Sequence, residues 1–288
     1  MIATADKATG NVREIRVTLP PPHGQAQRDI IETPDSIVLL GGGRFGKTEA
    51  EVRRIVRCMV NDPGLYWWIG LDRGSASYKK AWRMLYLLWA SALRSCGLDP
   101  RNWINRTAHE ISVPNGSRLM FRTAANPQSI AGDGPKGIVG DEFTYWNAEV
   151  YERFIMPATL DHKAWVHLIG RPHGENWGYD LWRKAAHMPG WRQLRYTVYD
   201  NPLLDPADIE AIRANTPDPV WQQEYMAEPG SGDNGVIPLA WVIAAVDRWK
   251  AGATDTALPL VLACDVSEGG EQADLTTFAH RYGWRIDR

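Results

Sequence analysis

Near the start of the chain, eight consecutive residues have the types and spacing of a phosphate-binding loop. They are Gly41, Gly42, Gly43, Arg44, Phe45, Gly46, Lys47 and Thr48, which fit G-x-x-x-x-G-K-[ST] in full. In such a loop glycines let backbone N–H groups face phosphates, the lysine reaches the β- and γ-phosphates, and the hydroxyl binds Mg²⁺. A plain glycine-rich turn is the alternative, and the strand and helix predicted on either side favour phosphate binding.

Further charged residues supply what nucleotide hydrolysis needs. We expect Arg44 to stabilise the transferred phosphoryl group, although a solvated loop residue would look the same. Residues 137–142 end in two acids. We expect Asp141, on a strand next to that of the loop, to hold Mg²⁺, and Glu142 to orient the attacking water. An Asp-Glu pair alone is more often a surface turn, and Gly140 makes this strand poorly apolar.

Short apolar runs alternate with helical patterns around these residues. After the loop, apolar residues recur at helical spacing over residues 52–60, with Arg53, Arg54 and Arg57 on the other side. Residues 75–95 predict a long helix. Strands are predicted at residues 37–40, 65–71, 118–122, 138–139 and 165–169. The alternation predicts an α/β domain with a mainly parallel sheet covered on both faces. Together with the loop and the two acids, it gives the expected fold class, a P-loop (ASCE/RecA-like) ATPase.

Composition divides the chain into four predicted parts. Residues 1–35 are polar and Pro-rich and form an arm, residues 36–228 form the P-loop domain with a lid, and residues 229–257 form a linker. The apolar run 258–264, followed by Asp265, then opens a second domain. We expect this domain, residues 258–288, to be incomplete because few residues follow its first strand.

Bulk properties exclude several classes of protein. Hydrophobic residues make up 44% of the chain and charged residues 23%, as in ordinary globular proteins. The net charge of −2 argues against a protein that coats nucleic acid, but not against transient DNA contact. Three scattered cysteines support neither disulfides nor a zinc site, and no signal peptide or membrane span is predicted. We expect a soluble, intracellular protein, with its 14 tryptophans mainly in the core and a minority available to stack on bases.

Five segments together resemble the large-subunit terminases of tailed phages. They are residues 23–31, similar to the adenine-contacting glutamine motif; 41–48, an arginine-containing Walker A loop; 137–142, Walker B with its catalytic glutamate; 168–174, the coupling motif; and 197–205 with 221–225, the passage into the linker.

The resemblance assigns roles to individual residues. It implies that Glu142, Arg44 and Lys47 are catalytic, and that Thr48 and Asp141 hold Mg²⁺ beside ATP. ATP-binding residues would be Gln27, Gly41, Gly42, Gly43, Arg44, Phe45, Gly46, Lys47 and Thr48. Gly170, Arg171 and Pro172 would form the coupling motif.

Residues 263–267 resemble the first strand of an RNase H-like nuclease. This implies that Asp265 and Asp274 belong to a site for two divalent metals, Mg²⁺ or Mn²⁺. A surface aspartate at a strand end is the alternative for Asp265. The family's later acids would lie past Arg288, so we expect nuclease activity only in a full-length parent.

Two segments depart from the family pattern. Gly170 and Arg171 stand where hydroxyl residues are frequent, so Arg171 would contact phosphate or DNA, or pair with an acid. Ala131 stands where many relatives have an arginine that acts on a neighbouring subunit's ATP. Arg44 in the same subunit, or Arg118 or Arg122 from a neighbour, would then supply that charge.

The family implies an ATP-driven motor that moves double-stranded DNA into an empty capsid in the bacterial host cytoplasm, with no membrane involved. Its partners would be a portal protein and a terminase small subunit, with the chain in a homo-oligomeric ring or monomeric when isolated. A lid after about residue 175 would move DNA, and Lys79, Lys80 and Arg83 would contact its phosphates or form a solvated helix face. Alternatives are another P-loop translocase, a non-hydrolysing remnant that binds only nucleotide or packaging partners, and a nuclease in its own right.

Overall fold

A computed structural model describes residues 2–5, 12–130, 134–230, 247, 260–265, 277–282 and 285–287. The chain divides into two compact units, residues 1–230 and 231–288. The segment predicted as an arm lies in the first unit. The linker predicted at 229–257, apart from residues 229, 230 and 247, lies outside the described residues.

The first unit contains ten strands, eight of which form one mixed sheet. Its strands are β1 (Ile2–Ala5), β2 (Val12–Ile15), β3 (Ser36–Gly41), β4 (Leu65–Gly70), β5 (Ile104–Asn105), β6 (Glu110–Ser112), β7 (Arg118–Thr123), β8 (Gly137–Asp141), β9 (Trp165–Gly170) and β10 (Trp191–Tyr196). β1 and β2 form an antiparallel pair, and the other eight form a sheet in the order β10-β3-β9-β8-β4-β7-β6-β5. Strands from β10 to β7 run parallel, and β6 and β5 run antiparallel at one edge. The prediction of a mainly parallel sheet is confirmed.

Helices cover both faces of this sheet, and two more follow its last strand. They are α1 (Gln25–Glu32), α2 (Lys47–Asn61), α3 (Ala76–Ser95), α4 (Met156–Ala158), α5 (Trp177–Ala185), α6 (Pro206–Ala214) and α7 (Asp218–Glu224). In β4, Tyr66 and Trp68 pack into the cluster that contains α2 and α3, whereas Trp67 and Ile69 pack with residues of α5. This alternation follows from the two-residue period of a strand, so both faces are apolar and buried. No helix in the described part of the chain is long and apolar enough to cross a membrane.

The position of Asp141 in the sheet differs from the prediction. The sequence places it on a strand next to that of the phosphate-binding loop, and this is wrong, because β9 lies between β3 and β8. All three strands run parallel, so their carboxyl ends still meet at one edge of the sheet. That edge is where open α/β sheets bind ligands.

Two arginines of α2 also differ from the prediction. Helical spacing predicts Arg53 and Arg54 on the side away from the core, yet both side chains are buried. Arg53 Nε donates to the carbonyl of Pro20 at 3.1 Å, and Arg54 Nη1 donates to that of Thr33 at 2.6 Å. These hydrogen bonds give each buried guanidinium group a carbonyl partner and tie the N-terminal segment to α2.

The prediction that residues after about 175 form a lid is wrong for part of that segment. Residues of β10 pair in parallel register with β3, so residues 191–196 are a strand of the main sheet. Beyond Tyr196 the chain leaves the sheet and forms α6 and α7.

Gly137, in β8, makes room for an aromatic ring of the neighbouring strand. A Cβ at this position would lie 2.1 Å from Trp165 Cε2, far inside the usual carbon–carbon contact of about 3.5 Å. We expect Gly137→Ala to lower the free energy of unfolding by about 1–3 kcal/mol, measured by urea unfolding. In a Trp165→Leu background the same change should be nearly neutral, and an equal loss in both backgrounds would contradict the steric cause.

The second unit contains β11 (Leu260–Asp265), β12 (Thr277–Tyr282) and β13 (Arg285–Asp287), which form an antiparallel sheet in that order. The strand predicted from residue 258 corresponds to β11. Asp265 is its last residue and pairs with Thr277, whereas Asp274 lies outside the described residues. The nuclease-like start of this unit stays a prediction.

Candidate nucleotide-binding site

The phosphate-binding loop lies between β3 and α2, as the sequence predicts. Gly46 precedes α2 with φ = 99°, a conformation that side chains disfavour. Phe45 is buried and stacks on Tyr196, with 4.9 Å between ring centroids. Lys47 Nζ donates to the carbonyl of Gly41 at 3.1 Å, so the loop holds its own lysine over the sheet edge.

Two charged residues of the site have a left-handed backbone. Arg44 has φ = 63° and Glu142 has φ = 60°, which is uncommon for residues other than glycine. The backbone N–H of Glu142 donates to the carbonyl of Ile169 at 2.8 Å, and Asn201 Nδ2 donates to that of Arg44 at 2.7 Å. Such conformations concentrate at functional sites, where the surrounding structure maintains them.

Asp141 is fully buried, and neither of its carboxylate oxygens has a hydrogen-bond partner within the described part of the chain. Burial raises the pKa of Asp141 and lowers the pKa of Lys47, and the two opposite charges counteract these shifts. A buried carboxylate without a partner is costly unless a cation joins it.

One pocket of about 490 Å³ brings together the predicted residues that carry charge or a hydroxyl around the phosphate-binding loop. Its lining includes Arg44, Lys47, Thr48, Asp141, Glu142 and Arg171. The rest of the lining is formed by Gly43, Ser77, Asn215, Thr216, Pro217, Val220, Glu224 and Tyr225. A larger groove of about 880 Å³ lies against α2, α3 and residues 16–20, and none of the predicted site residues line it.

Gln27 lies behind the phosphate-binding loop and does not line this pocket. Its side chain is buried; Nε2 donates to the carbonyl of Gly46 at 3.2 Å, and Oε1 accepts from the N–H of His23 at 2.9 Å. The amide is therefore engaged with the loop on one side and the N-terminal segment on the other. In this arrangement Gln27 positions Gly46, and a contact with adenine stays a prediction.

The predicted coupling motif ends in a turn, residues 171–174, that follows β9 and is called the coupling turn below. Arg171 forms an ion pair with Glu224, which is the acid-pairing alternative among those left open by the sequence. The carbonyl of Arg171 accepts a hydrogen bond from Thr144 Oγ1 at 2.7 Å. Gly170 lies beneath that hydroxyl, because a Cβ there would be 3.2 Å from the same oxygen. Thr144 thus supplies a hydroxyl group next to Gly170 and Arg171, the positions where the family often has hydroxyl residues. Pro172 does not line the pocket.

The end of α7 contacts the same loop and was missed by sequence reasoning. The carbonyl of Glu224 accepts from the N–H of Gly43 at 2.6 Å, and a Cβ on Gly42 would lie 2.1 Å from the carbonyl oxygen of Tyr225. Gly42 is therefore needed for the close approach of two backbones. Residues 221–225 carry part of the family resemblance, but nothing in their spacing predicts that they contact the phosphate-binding loop.

The remaining candidates lie elsewhere. Arg118 and Arg122 both pair with Glu110, at 2.6 and 3.4 Å, toward the far edge of the sheet. Lys80 lies 3.5 Å from Glu49, and Ala131 is outside the described residues. Lys79 and Arg83 are exposed on α3.

Sequence comparison identifies one family. The model for "Terminase large subunit, T4likevirus-type, N-terminal" matches residues 94–242, just over half of the chain. A comparison with curated proteins finds no match.

Solved structures share the fold. The large terminase ATPase domain of Thermus phage P74-26 is 18% identical with a TM-score of 0.62, over 73% of this chain and 94% of that one. The large terminase of the thermophilic bacteriophage D6E is 16% identical with a TM-score of 0.56, over 90% of this chain. The chain spans 65% of that protein's length. The D6E protein has been solved with ADP and with ATP-gamma-S.

Proposed function

Because the chain belongs to the terminase large subunit family, we propose that it is the ATP-hydrolysing motor that drives double-stranded viral DNA into a procapsid. The observation that carries this proposal is the single pocket in which Lys47, Thr48, Asp141 and Glu142 converge. Those four residues provide what P-loop ATPases use for phosphates, Mg²⁺ and water.

The donors in the pocket fit Mg²⁺. Asp141 offers a buried carboxylate that has no hydrogen-bond partner among the described residues, and the Thr48 hydroxyl lines the same pocket. Mg²⁺ with a nucleotide needs only one or two protein carboxylates, since phosphates and water complete its shell. The described residues contain no group of three or more His, Cys, Asp or Glu side chains able to hold a metal, and this site does not require one. When bound, Mg²⁺ would neutralise charge on the phosphates.

The residues of this chain would divide the reaction as follows. Lys47 and Arg44 offset charge on the transferred phosphoryl group, and the backbone N–H groups of the loop hold the phosphates. Glu142 accepts a proton from the attacking water and aligns it with the phosphorus atom. Arg171, in the coupling turn, senses the γ-phosphate.

The remaining family roles are part of the proposal. DNA would be held through its phosphates, with Lys79 and Arg83 as exposed candidates. A portal protein and a terminase small subunit would assemble with a ring of this chain in the host cytoplasm. Asp265, at the end of β11, would belong to a nuclease site for two divalent metals, as would Asp274.

ATP hydrolysis with Mg²⁺, with and without linear duplex DNA, tests the motor directly. We expect DNA to stimulate turnover in the wild-type protein. Lys47→Ala should weaken ATP binding about 10- to 100-fold, because a charge-assisted hydrogen bond to phosphate is lost. Lys79→Ala should leave ATP binding unchanged. Nucleotide binding without turnover, even at high protein concentration, would favour a non-hydrolysing remnant instead.

A further inference from the structure

The end of α7 bridges the two parts of the site that must respond to ATP. Its backbone contacts the phosphate-binding loop, where the carbonyl of Glu224 accepts from Gly43 N–H at 2.6 Å. Its side chains contact the coupling turn, where Glu224 pairs with Arg171 and Gln223 Oε1 accepts from the N–H of Gly174 at 3.2 Å. A short helix is therefore attached to both.

The carboxylate of Glu224 is in an unfavourable place for a nucleotide site. It lines the pocket with Lys47 and Arg171 and is partly buried, with 25% of its side chain exposed. Because Lys47, Arg171 and Glu224 line the same pocket, all three charges act on the space that the phosphates would occupy, where a carboxylate repels them.

We propose that Glu224 is a positioning residue that holds Arg171 until the γ-phosphate takes its place. Arg171 binds one anion, Glu224 or phosphate, and guanidinium groups suit both. ATP binding then breaks the Arg171–Glu224 pair and loosens α7, whereas ADP leaves the pair intact. This inference rests on the proposed ATPase function.

The place of α7 in the chain gives the exchange a consequence. Trp221 is buried, stacks on Tyr225 with centroids 4.7 Å apart, and packs with residues 198 and 209. The N–H of Val198 donates to the carbonyl of Tyr225 at 2.9 Å. Releasing Glu224 would therefore disturb the whole segment 197–226, which directly precedes the second unit.

Binding of ADP and ATP-gamma-S to the whole chain, measured by calorimetry, tests the exchange. We expect Glu224→Gln to favour ATP-gamma-S over ADP about tenfold more than the wild type does, and Arg171→Gln to reduce that preference. Glu228→Gln is the matched control, because Glu228 pairs with Arg195 at 2.7 Å outside the pocket, and it should behave as the wild type. An unchanged preference in Glu224→Gln would overturn the inference while leaving the proposed function standing.

Amide hydrogen exchange supplies a readout that a purely structural role would not move. In the wild type, ATP-gamma-S but not ADP should speed exchange in peptides covering residues 218–226. In Glu224→Gln, exchange there should already be fast without nucleotide. If ATP-gamma-S and ADP protected the amides of residues 218–226 equally in the wild type, the proposed replacement of Glu224 by phosphate at Arg171 would be overturned. Failure to bind either nucleotide would overturn the ATPase function itself.

Discussion

Replacing Glu142 with glutamine is expected to reduce the kcat for ATP hydrolysis by about 10²–10⁴-fold while ATP binding is retained. Glutamine has the same size and keeps a hydrogen-bonding oxygen, but it cannot take a proton from water. It also removes a negative charge close to the phosphates, so the affinity for ATP should hold or rise slightly. Single-turnover hydrolysis and a separate binding measurement distinguish the two effects.

The backbone conformation at Glu142 fixes the place of its carboxylate, so a neighbouring residue cannot readily take over its role. Its φ of 60° turns the chain sharply directly after Asp141, and the hydrogen bond from its N–H to Ile169 fixes the turn to β9. Glu149→Gln is a suitable control, because Glu149 pairs with Arg153 on the surface. If Glu142→Gln retained normal turnover, the water would have to be oriented by another group of the pocket.

The parts of this site that sequence predicts are those encoded in short contiguous stretches. The loop 41–48 and the acids at 141 and 142 carry their chemistry in local spacing, so residue types and spacing are enough to predict their roles. Gly140, which weakens the strand pattern, is explained only by its neighbours in the fold. A Cβ there would meet Trp146 at 2.7 Å and Leu168 at 2.6 Å, so the glycine makes room for two buried side chains.

The parts that sequence misses are contacts between distant residues. Insertion of β9 between β3 and β8 depends on which strands pair, and strand order is not written in any one strand. Arg54 is buried where its Nη1 donates to the carbonyls of Ile31 and Thr33, and no helical spacing reveals those partners. The pair of Arg171 and Glu224 likewise forms only when the end of α7 reaches the loop.

A second large effect is expected beneath the phosphate-binding loop, where His167→Leu should lower the free energy of unfolding by about 3–5 kcal/mol. His167 in β9 and Glu51 in α2 have fully buried side chains, and His167 Nδ1 lies 2.9 Å from Glu51 Oε1. Removing the imidazole leaves the Glu51 carboxylate buried without this partner. Urea unfolding at constant pH measures the loss.

The same pair should make stability depend on pH. Burial, aided by Arg54, lowers the pKa of His167 below its ordinary value of 6.5, although Glu51 and the carbonyl of Asp35 oppose the shift. Below about pH 6.5 the unfolded chain then binds a proton that the folded protein excludes, so stability should fall as pH decreases. For one such group the slope approaches about 1.4 kcal/mol per pH unit.

Replacing both partners separates the charge from the packing. Glu51→Leu added to His167→Leu should recover most of the stability, since an apolar pair of similar volume replaces a buried polar one at little or no loss. The double variant should also lack the share of the acid dependence that comes from His167. A double variant as unstable as His167→Leu alone would contradict this account, because the loss would then come from packing around β9 rather than from the unpaired carboxylate.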